Sequence, residues 1–144
     1  MTAFSQYLSD EHAVCDDFFV AAENAVAAKD WNIAEQAFLQ FRSRMQQHFA
    51  REEEVLFPAF EACTGMTCGP TSVMREEHQQ MNGLMQAMAT AIGQSERDGF
   101  LGLSETLLML MRQHNMKEEN ILYPMAEHAL ASERETLLER METV

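Results

Sequence analysis

Two stretches of the sequence decide its fold: HFAREEEVLFPAF at residues 48–60 and HNMKEENILYPMA at residues 114–126. In each stretch a histidine is followed four residues later by a glutamate, and a proline comes further on. Residues four apart lie on the same face of an α-helix, about one turn from each other. Each stretch therefore predicts a helix that directs one imidazole and one carboxylate to the same side.

The two stretches belong to an internal repeat with an offset of 66 residues, the distance from position 48 to position 114. The offset pairs His12 with His78, His48 with His114, Glu52 with Glu118 and Glu11 with Glu77. Self-similarity at a fixed spacing indicates a repeated structural unit. The sequence therefore predicts two copies of one helical hairpin, each with a histidine on its first helix and His-x-x-x-Glu on its second.

Helical periodicity and scarce Gly and Pro predict four long helices and a short amphipathic one. Their expected ranges are about 9–29, 30–58, 71–94, 100 to beyond 123, and 132–141. Asp30 is the expected N-cap of the second helix, and Pro58 is expected to kink or end it. We predict an all-α, up-down-up-down antiparallel four-helix bundle with a short C-terminal helix, because short connections make successive helices antiparallel neighbours. Residues 1–144 form a single domain in this prediction, with the bundle spanning about 8–130.

Apolar residues at helical spacing give the expected buried stripes of the first two helices. The first stripe consists of Val14, Phe18, Ala21, Ala25 and Ala28. The second consists of Ile33, Ala37, Phe41, Met45 and His48. His12 and His78 are expected on the core stripes of their own helices.

Composition and charge exclude several classes of function. The chain has 144 residues, 47% of them hydrophobic, and a formal net charge of −13. Nucleic acids and anionic membranes require clustered Lys and Arg, so neither is an expected partner. There is no long apolar run and no signal-type N-terminus over residues 1–10. Three cysteines without an export signal predict a cytoplasmic protein that has no disulfide framework.

The repeat predicts a metal site, because pairing the two hairpins aims four imidazoles and two carboxylates at one place in the core. The expected ligands are His12, His48, Glu52, His78, His114 and Glu118. Such a donor set suits a pair of first-row metals such as iron. The alternative leaves these groups as unpaired polar side chains in the core, where buried carboxylates are strongly penalised. The Glu-x-x-His signature of ferritin-type sites and the His-Glu-x-x-His signature of zinc proteases are both absent from the sequence.

With DEH at 10–12 and EEH at 76–78, the two quoted stretches resemble the hemerythrin-like, or HHE cation-binding, domains. The resemblance implies a non-haem di-iron centre, oxo- or hydroxo-bridged, held by the six residues above with both glutamates bridging. Oxygen-carrying hemerythrins have a fifth histidine on the third helix, whereas Met74 and Asn82 lie four residues either side of His78. The chain is therefore more similar to the four-histidine, two-glutamate subgroup, which includes proteins linked to repair of nitrosatively damaged iron–sulfur clusters.

The missing histidine leaves an open position at either iron, where O₂ or NO can bind. We therefore expect a di-iron protein that binds a small diatomic ligand for sensing, storage or detoxification, with binding favoured over turnover and no catalytic residue assigned. One alternative is a di-iron enzyme or repair factor that acts on peroxide, nitric oxide or damaged clusters. Another is a metal-dependent regulatory interaction module. Asp16 or Asn82 could fill an open position, and the competing interpretation is a solvated or capping side chain.

Other side chains are expected to lie outside the chemistry. Cys63 and Cys68 read as free thiols, because zinc would need further ligands nearby. Cys15 reads as a small buried hydrophobic residue rather than a redox group or ligand. Glu53 and Glu119, about 100° around the helix from the predicted ligand glutamates, are expected to be solvated.

Overall fold

The computed structural model describes residues 3–144, so residues 1 and 2 of the predicted domain lie outside the described part. The α-helices are α1 Ala3–Ala27, α2 Trp31–Arg51, α3 Phe57–Thr64, α4 Pro70–Gly93, α5 Arg97–Lys117, α6 Tyr123–Ala129 and α7 Arg134–Glu142. Residues 3–144 include no strand, and the predicted all-α bundle is confirmed. Among these helices, none is both long and apolar enough to cross a membrane.

Two helical hairpins form the bundle. α1 packs along α2 and α4 packs along α5, while α1 also contacts α5 and α2 contacts α4. The tight turn before α2 ends on Asp30, whose side chain accepts a hydrogen bond from the N–H of Ile33 at 3.4 Å, so the predicted N-cap is confirmed. α7 packs against α1 at the end of the bundle away from this turn. Short connections thus place four long helices around one interior.

Each second helix of a hairpin contains a π-helical segment where the sequence suggested a kink. The segment Glu52–Leu56 joins α2 to α3, and Glu118–Leu122 joins α5 to α6. A proline has no N–H to offer the carbonyl four residues earlier, which favours a widened turn just before it. The expected kink or end at Pro58 is therefore a π-helical turn, after which the helix continues. Single π-helical turns occur frequently at functional sites.

The interior consists of two apolar clusters with a polar layer between them. One cluster surrounds Phe41, Phe100 and Leu107, and the other surrounds Phe57 and Leu122. Four histidines and two glutamates are buried in the layer between the clusters. Apolar packing at both ends fixes the helices that carry these polar groups.

The buried stripes of the first two helices differ from the predicted ones. Ala25 of the predicted α1 stripe is buried, whereas Val14 is 37% exposed and Ala21 and Ala28 are exposed. The buried side chains of α1 are Phe4, Leu8, His12, Cys15, Phe19, Ala22, Ala25 and Val26. On α2 the predicted Phe41, Met45 and His48 are buried, whereas Ile33 is 56% exposed and Ala34 and Phe38 are buried instead. The predicted α1 stripe was thus one position off at Val14 and Ala21, which precede the buried Cys15 and Ala22.

Candidate metal centre

The six predicted ligand side chains meet in the middle of the bundle. His12, His48, His78 and His114 come from α1, α2, α4 and α5, and Glu52 and Glu118 are the first residues of the two π-helical segments. All six are buried, and His12 is the most exposed of them at 6%. The 66-residue repeat thus places equivalent side chains on opposite sides of one interior layer.

The six residues divide into two groups that share Glu118. In the first group, His12 Nε2 lies 3.1 Å from His48 Nε2 and 3.1 Å from Glu118 Oε1. In the second, His78 Nε2 lies 3.1 Å from Glu52 Oε1, and His114 Nε2 lies 3.3 Å from Glu118 Oε1. The donor atoms of each group lie within 4.8 Å of one another. Each hairpin therefore contributes one pair of histidines to one group.

Several inward-facing atoms have no hydrogen-bond partner among the described residues. They are His78 Nε2, His114 Nε2, Glu52 Oε1 and Glu118 Oε2. His78 Nε2 and Glu52 Oε1 are close together but not aligned for a hydrogen bond. The atoms of each donor group are close enough together to ligate one cation. Buried polar atoms without partners are costly, so this donor set fits a metal pair.

A glutamate contacts the outward-facing nitrogen of every one of these histidines. The contacts are Glu119 Oε2 to His12 Nδ1 at 2.5 Å, Glu11 Oε1 to His48 Nδ1 at 2.9 Å, Glu53 Oε2 to His78 Nδ1 at 2.6 Å and Glu77 Oε1 to His114 Nδ1 at 2.8 Å. A carboxylate that accepts a hydrogen bond from Nδ1–H leaves Nε2 as the free lone pair, which fixes the tautomer that a metal requires.

Two of these outer glutamates, Glu53 and Glu119, were expected to be solvated rather than bound to metal, and neither belongs to a donor group. Glu53 and Glu119 keep partly exposed side chains, yet each contacts a histidine of the other hairpin. The sequence could have indicated this role, because Glu53 and Glu119 are related by the same 66-residue offset as the six central residues. The other outer pair, Glu11 and Glu77, forms ion pairs with Arg51 and Lys117, which also correspond by that offset.

The pKa values reflect a crowded buried charge cluster. Burial alone lowers the pKa of His78, but its contacts with Glu52 and Glu53 raise it to about 9. Burial and the charge of Glu118 raise the pKa of Glu52. Two carboxylates that are 0% exposed and close together repel each other unless a proton or a cation lies between them. A cation held by these residues would replace the protons of this cluster.

Tyr123 is a site residue that the sequence analysis missed. Its hydroxyl donates a hydrogen bond to Glu52 Oε2 at 2.6 Å and lies 3.0 Å from Glu118 Oε1. Burial and both neighbouring carboxylates raise the pKa of Tyr123 well above its ordinary value, so the phenol stays a donor. The 66-residue offset pairs Tyr123 with Phe57, which has no hydroxyl. This tyrosine-for-phenylalanine difference between the two repeats is the feature of the sequence that could have identified Tyr123.

Neither the two candidates for an open metal position nor the three cysteines belong to the donor groups. Asp16 is exposed and Asn82 is half-buried, and neither belongs to either group. Cys15 is buried, and burial raises the pKa of its thiol to about 11, as expected of a small core side chain. Cys63 and Cys68 are exposed free thiols.

The fold and the site together define a helical-bundle protein with a buried histidine and glutamate metal site. Residues 3–126 match the family described as hemerythrin HHE cation binding domain. The chain belongs to this family.

Two curated relatives carry the name iron-sulfur cluster repair protein YtfE. The protein of Edwardsiella ictaluri is 33% identical over 59% of this chain and 42% of its own length. The protein of Musicola paradisiaca is 30% identical over 57% of this chain and 41% of its own length. The matched region therefore spans about two fifths of these relatives. No solved structure matches the chain.

Proposed function

We propose that the protein is a cytoplasmic di-iron protein that binds O₂ or NO for sensing, storage or detoxification. The proposed ligands are His12, His48, Glu52, His78, His114 and Glu118, in a single domain of residues 1–144. One observation carries the proposal. Imidazole Nε2 and carboxylate oxygen atoms that have no hydrogen-bond partner lie together in a layer of the bundle that is buried from solvent. Nitrogen and carboxylate donors in this ratio suit iron among first-row metals. Free thiols accord with a reducing compartment.

The side chains of the protein orient and insulate this site. Glu52 and Glu118 lie between the two histidine pairs, where each carboxylate could bridge two cations. The outer glutamates hold every imidazole ring by its Nδ1–H, and Tyr123 holds the two central carboxylates through its hydroxyl. The apolar clusters on either side exclude water. When bound, a pair of irons supplies redox-active Lewis-acid positions that take up a diatomic ligand.

Binding without turnover is the expected behaviour. We expect the aerobically purified protein to contain about two irons per chain and to show oxo-bridge absorption. After reduction under argon, stepwise addition of NO should give a spectral change that saturates and reverses when NO is removed. The Glu54→Ala variant is the matched control and should respond to NO as the parent does. Glu54 is an exposed glutamate two residues after Glu52, and it belongs to neither donor group. Continuous NO consumption under excess reductant would contradict the binding function.

The second candidate is a repair factor or enzyme acting on nitric oxide, peroxide or damaged iron–sulfur clusters. It is favoured by the name of the two curated relatives, iron-sulfur cluster repair protein. The matched region covers less than half of each relative, so their whole activity is a hypothesis for this chain. Restoration of a nitrosylated iron–sulfur protein by the iron-loaded chain, and its absence in Glu118→Ala, would favour this candidate over reversible binding.

A further inference from the structure

A pair of cationic side chains lies outside the outer glutamates and follows the same repeat. Arg51 and Lys117 correspond by the 66-residue offset, and each comes directly before a central glutamate in the sequence. Arg51 Nη1 contacts Glu11 Oε2, and Lys117 Nζ contacts Glu77 Oε2. The repeat therefore places a positive charge on one oxygen of an outer glutamate in each hairpin.

In the first hairpin these contacts connect a guanidinium to a histidine of the metal site. Glu11 Oε1 lies 2.9 Å from Nδ1 of His48, and the other oxygen of Glu11 contacts Arg51. Arg51 Nε donates a hydrogen bond to the carbonyl of Met141 at 2.9 Å, and its guanidinium carbon lies 5.3 Å from the centroid of the Tyr7 ring. Because Arg51 is also buried, these contacts hold its charge against Glu11.

The second hairpin has the same arrangement with a different cation. Glu77 Oε1 lies 2.8 Å from Nδ1 of His114, and the other oxygen of Glu77 contacts the Lys117 ammonium group. The Lys117 side chain is 42% exposed, so it lacks the buried setting of its counterpart in the first hairpin. A guanidinium and an ammonium group differ in shape and hydrogen bonding. The positive charge is therefore the property that the two positions share.

The two other outer glutamates have no such cation. Within residues 3–144, Glu53 and Glu119 form ion pairs with histidines but with no Lys or Arg. Their side chains are 37% and 42% exposed, whereas those of Glu11 and Glu77 are 18% and 19% exposed. Water screens an exposed carboxylate more effectively than a largely buried one. The cations thus accompany the two outer glutamates that solvent screens least.

The charge of an outer glutamate reaches the metal site through an imidazole ring. A carboxylate that accepts a hydrogen bond from Nδ1–H makes the ring a more basic ligand, which favours the more highly charged, oxidised state of a bound metal. A cation on the second oxygen of that carboxylate draws negative charge away from the imidazole. Arg51 and Lys117 therefore oppose the effect of the glutamates that they contact.

We infer that Arg51 and Lys117 are positioning residues that set the reduction potential of the iron pair through the outer glutamates. Protonated Arg and Lys have no lone pair to offer a metal, so each acts through the carboxylate that it contacts. By offsetting negative charge beside the histidines, the two cations raise the potential and make the ferrous state easier to reach. This inference rests on the proposed di-iron function, because the proposed uptake of O₂ or NO follows reduction of the iron.

The test is a redox titration of the iron-loaded full chain, followed by visible absorption. Arg51→Gln and Lys117→Gln each remove one cation and should shift the equilibrium toward the ferric state about tenfold, equivalent to a potential about 59 mV lower for one electron. Arg51→Lys and Lys117→Arg keep the charge and should retain the parental potential. Iron content and helical circular dichroism are measured alongside.

Arg44→Gln is the matched control, because it changes the net charge of α2 by the same amount. Arg44 lies seven residues before Arg51, packs over the Phe18 ring with its guanidinium carbon 5.8 Å from the centroid, and forms no ion pair within residues 3–144. Its substitution should leave the potential unchanged. Lys117→Gln alters a more exposed side chain and decides the test should Arg51→Gln lose iron.

A lower potential in a Gln variant that retains two irons, with the parental value in its charge-conserving partner, supports the inference. Four results overturn it and leave the di-iron function intact: an unchanged or raised potential, an equal shift in Arg44→Gln, a charge-conserving variant that shifts as the Gln variant does, or loss of iron from both Gln variants. Fewer than two irons in the parent protein overturns both.

Discussion

Glu118→Ala should reduce the iron content from about two ions per chain to nearly none, because its carboxylate belongs to both donor groups. Glu118 Oε1 lies 3.1 Å from His12 Nε2 and 3.3 Å from His114 Nε2, so its carboxylate reaches a histidine of each pair. Loss of one buried carboxylate removes both the bridge and part of the negative charge that attracts the cations. Metal analysis after purification and reconstitution measures the effect.

The control for this substitution is Glu54→Ala, an exposed glutamate on the π-helical segment that begins at Glu52. It should retain the full iron content. Circular dichroism separates loss of metal from loss of fold, since the helices of both variants should remain. An iron content unchanged in a folded Glu118→Ala protein would contradict the assignment of the shared ligand.

Removal of metal should lower the melting temperature on the order of 10 °C, the shift given by about 4 kcal/mol in a chain of this size. That free energy corresponds to a free metal concentration about 1,000 times the dissociation constant. The physical reason is that Glu52 and Glu118 are 0% exposed and close together, so in the metal-free bundle only protons on the carboxylates and imidazoles offset their repulsion.

Differential scanning calorimetry of metal-free and reconstituted protein measures this shift. Glu118→Ala provides the matched control, because it should melt at the same temperature with and without iron. A parent protein whose melting temperature is unaffected by removal of bound metal would mean that the six side chains do not depend on a cation. Zinc in place of iron tests whether the stabilisation requires only a cation.

The four histidines and two glutamates of the buried layer were predictable from the sequence, because the 66-residue repeat pairs identical residues at these positions. His12 and His78, or Glu52 and Glu118, occupy matching positions of two hairpins, and polar groups at core positions stand out in an otherwise apolar stripe. The helical fold followed from composition and periodicity. The cap at Asp30 followed from its own side chain, which satisfies a backbone N–H at the start of α2.

The remaining features depend on tertiary packing that a local pattern does not contain. The α1 stripe was misplaced because Val14 has the apolar character of a core residue but faces solvent, while its neighbour Cys15 is buried. The outer glutamates were missed because Glu53 and Glu119 contact histidines of the opposite hairpin, more than twenty residues away. Tyr123 was missed because its role lies in a hydroxyl that Phe57 lacks, a difference that matters only once both rings face the site.

The most direct measurement is anomalous diffraction at the iron absorption edge from crystals of the reconstituted protein. Two anomalous peaks should lie in the polar layer, one beside His12 and His48 and the other beside His78 and His114, with Glu118 contacting both. A single peak, or peaks outside this layer while the bundle is intact, would contradict the claim that the repeated hairpins hold a pair of cations.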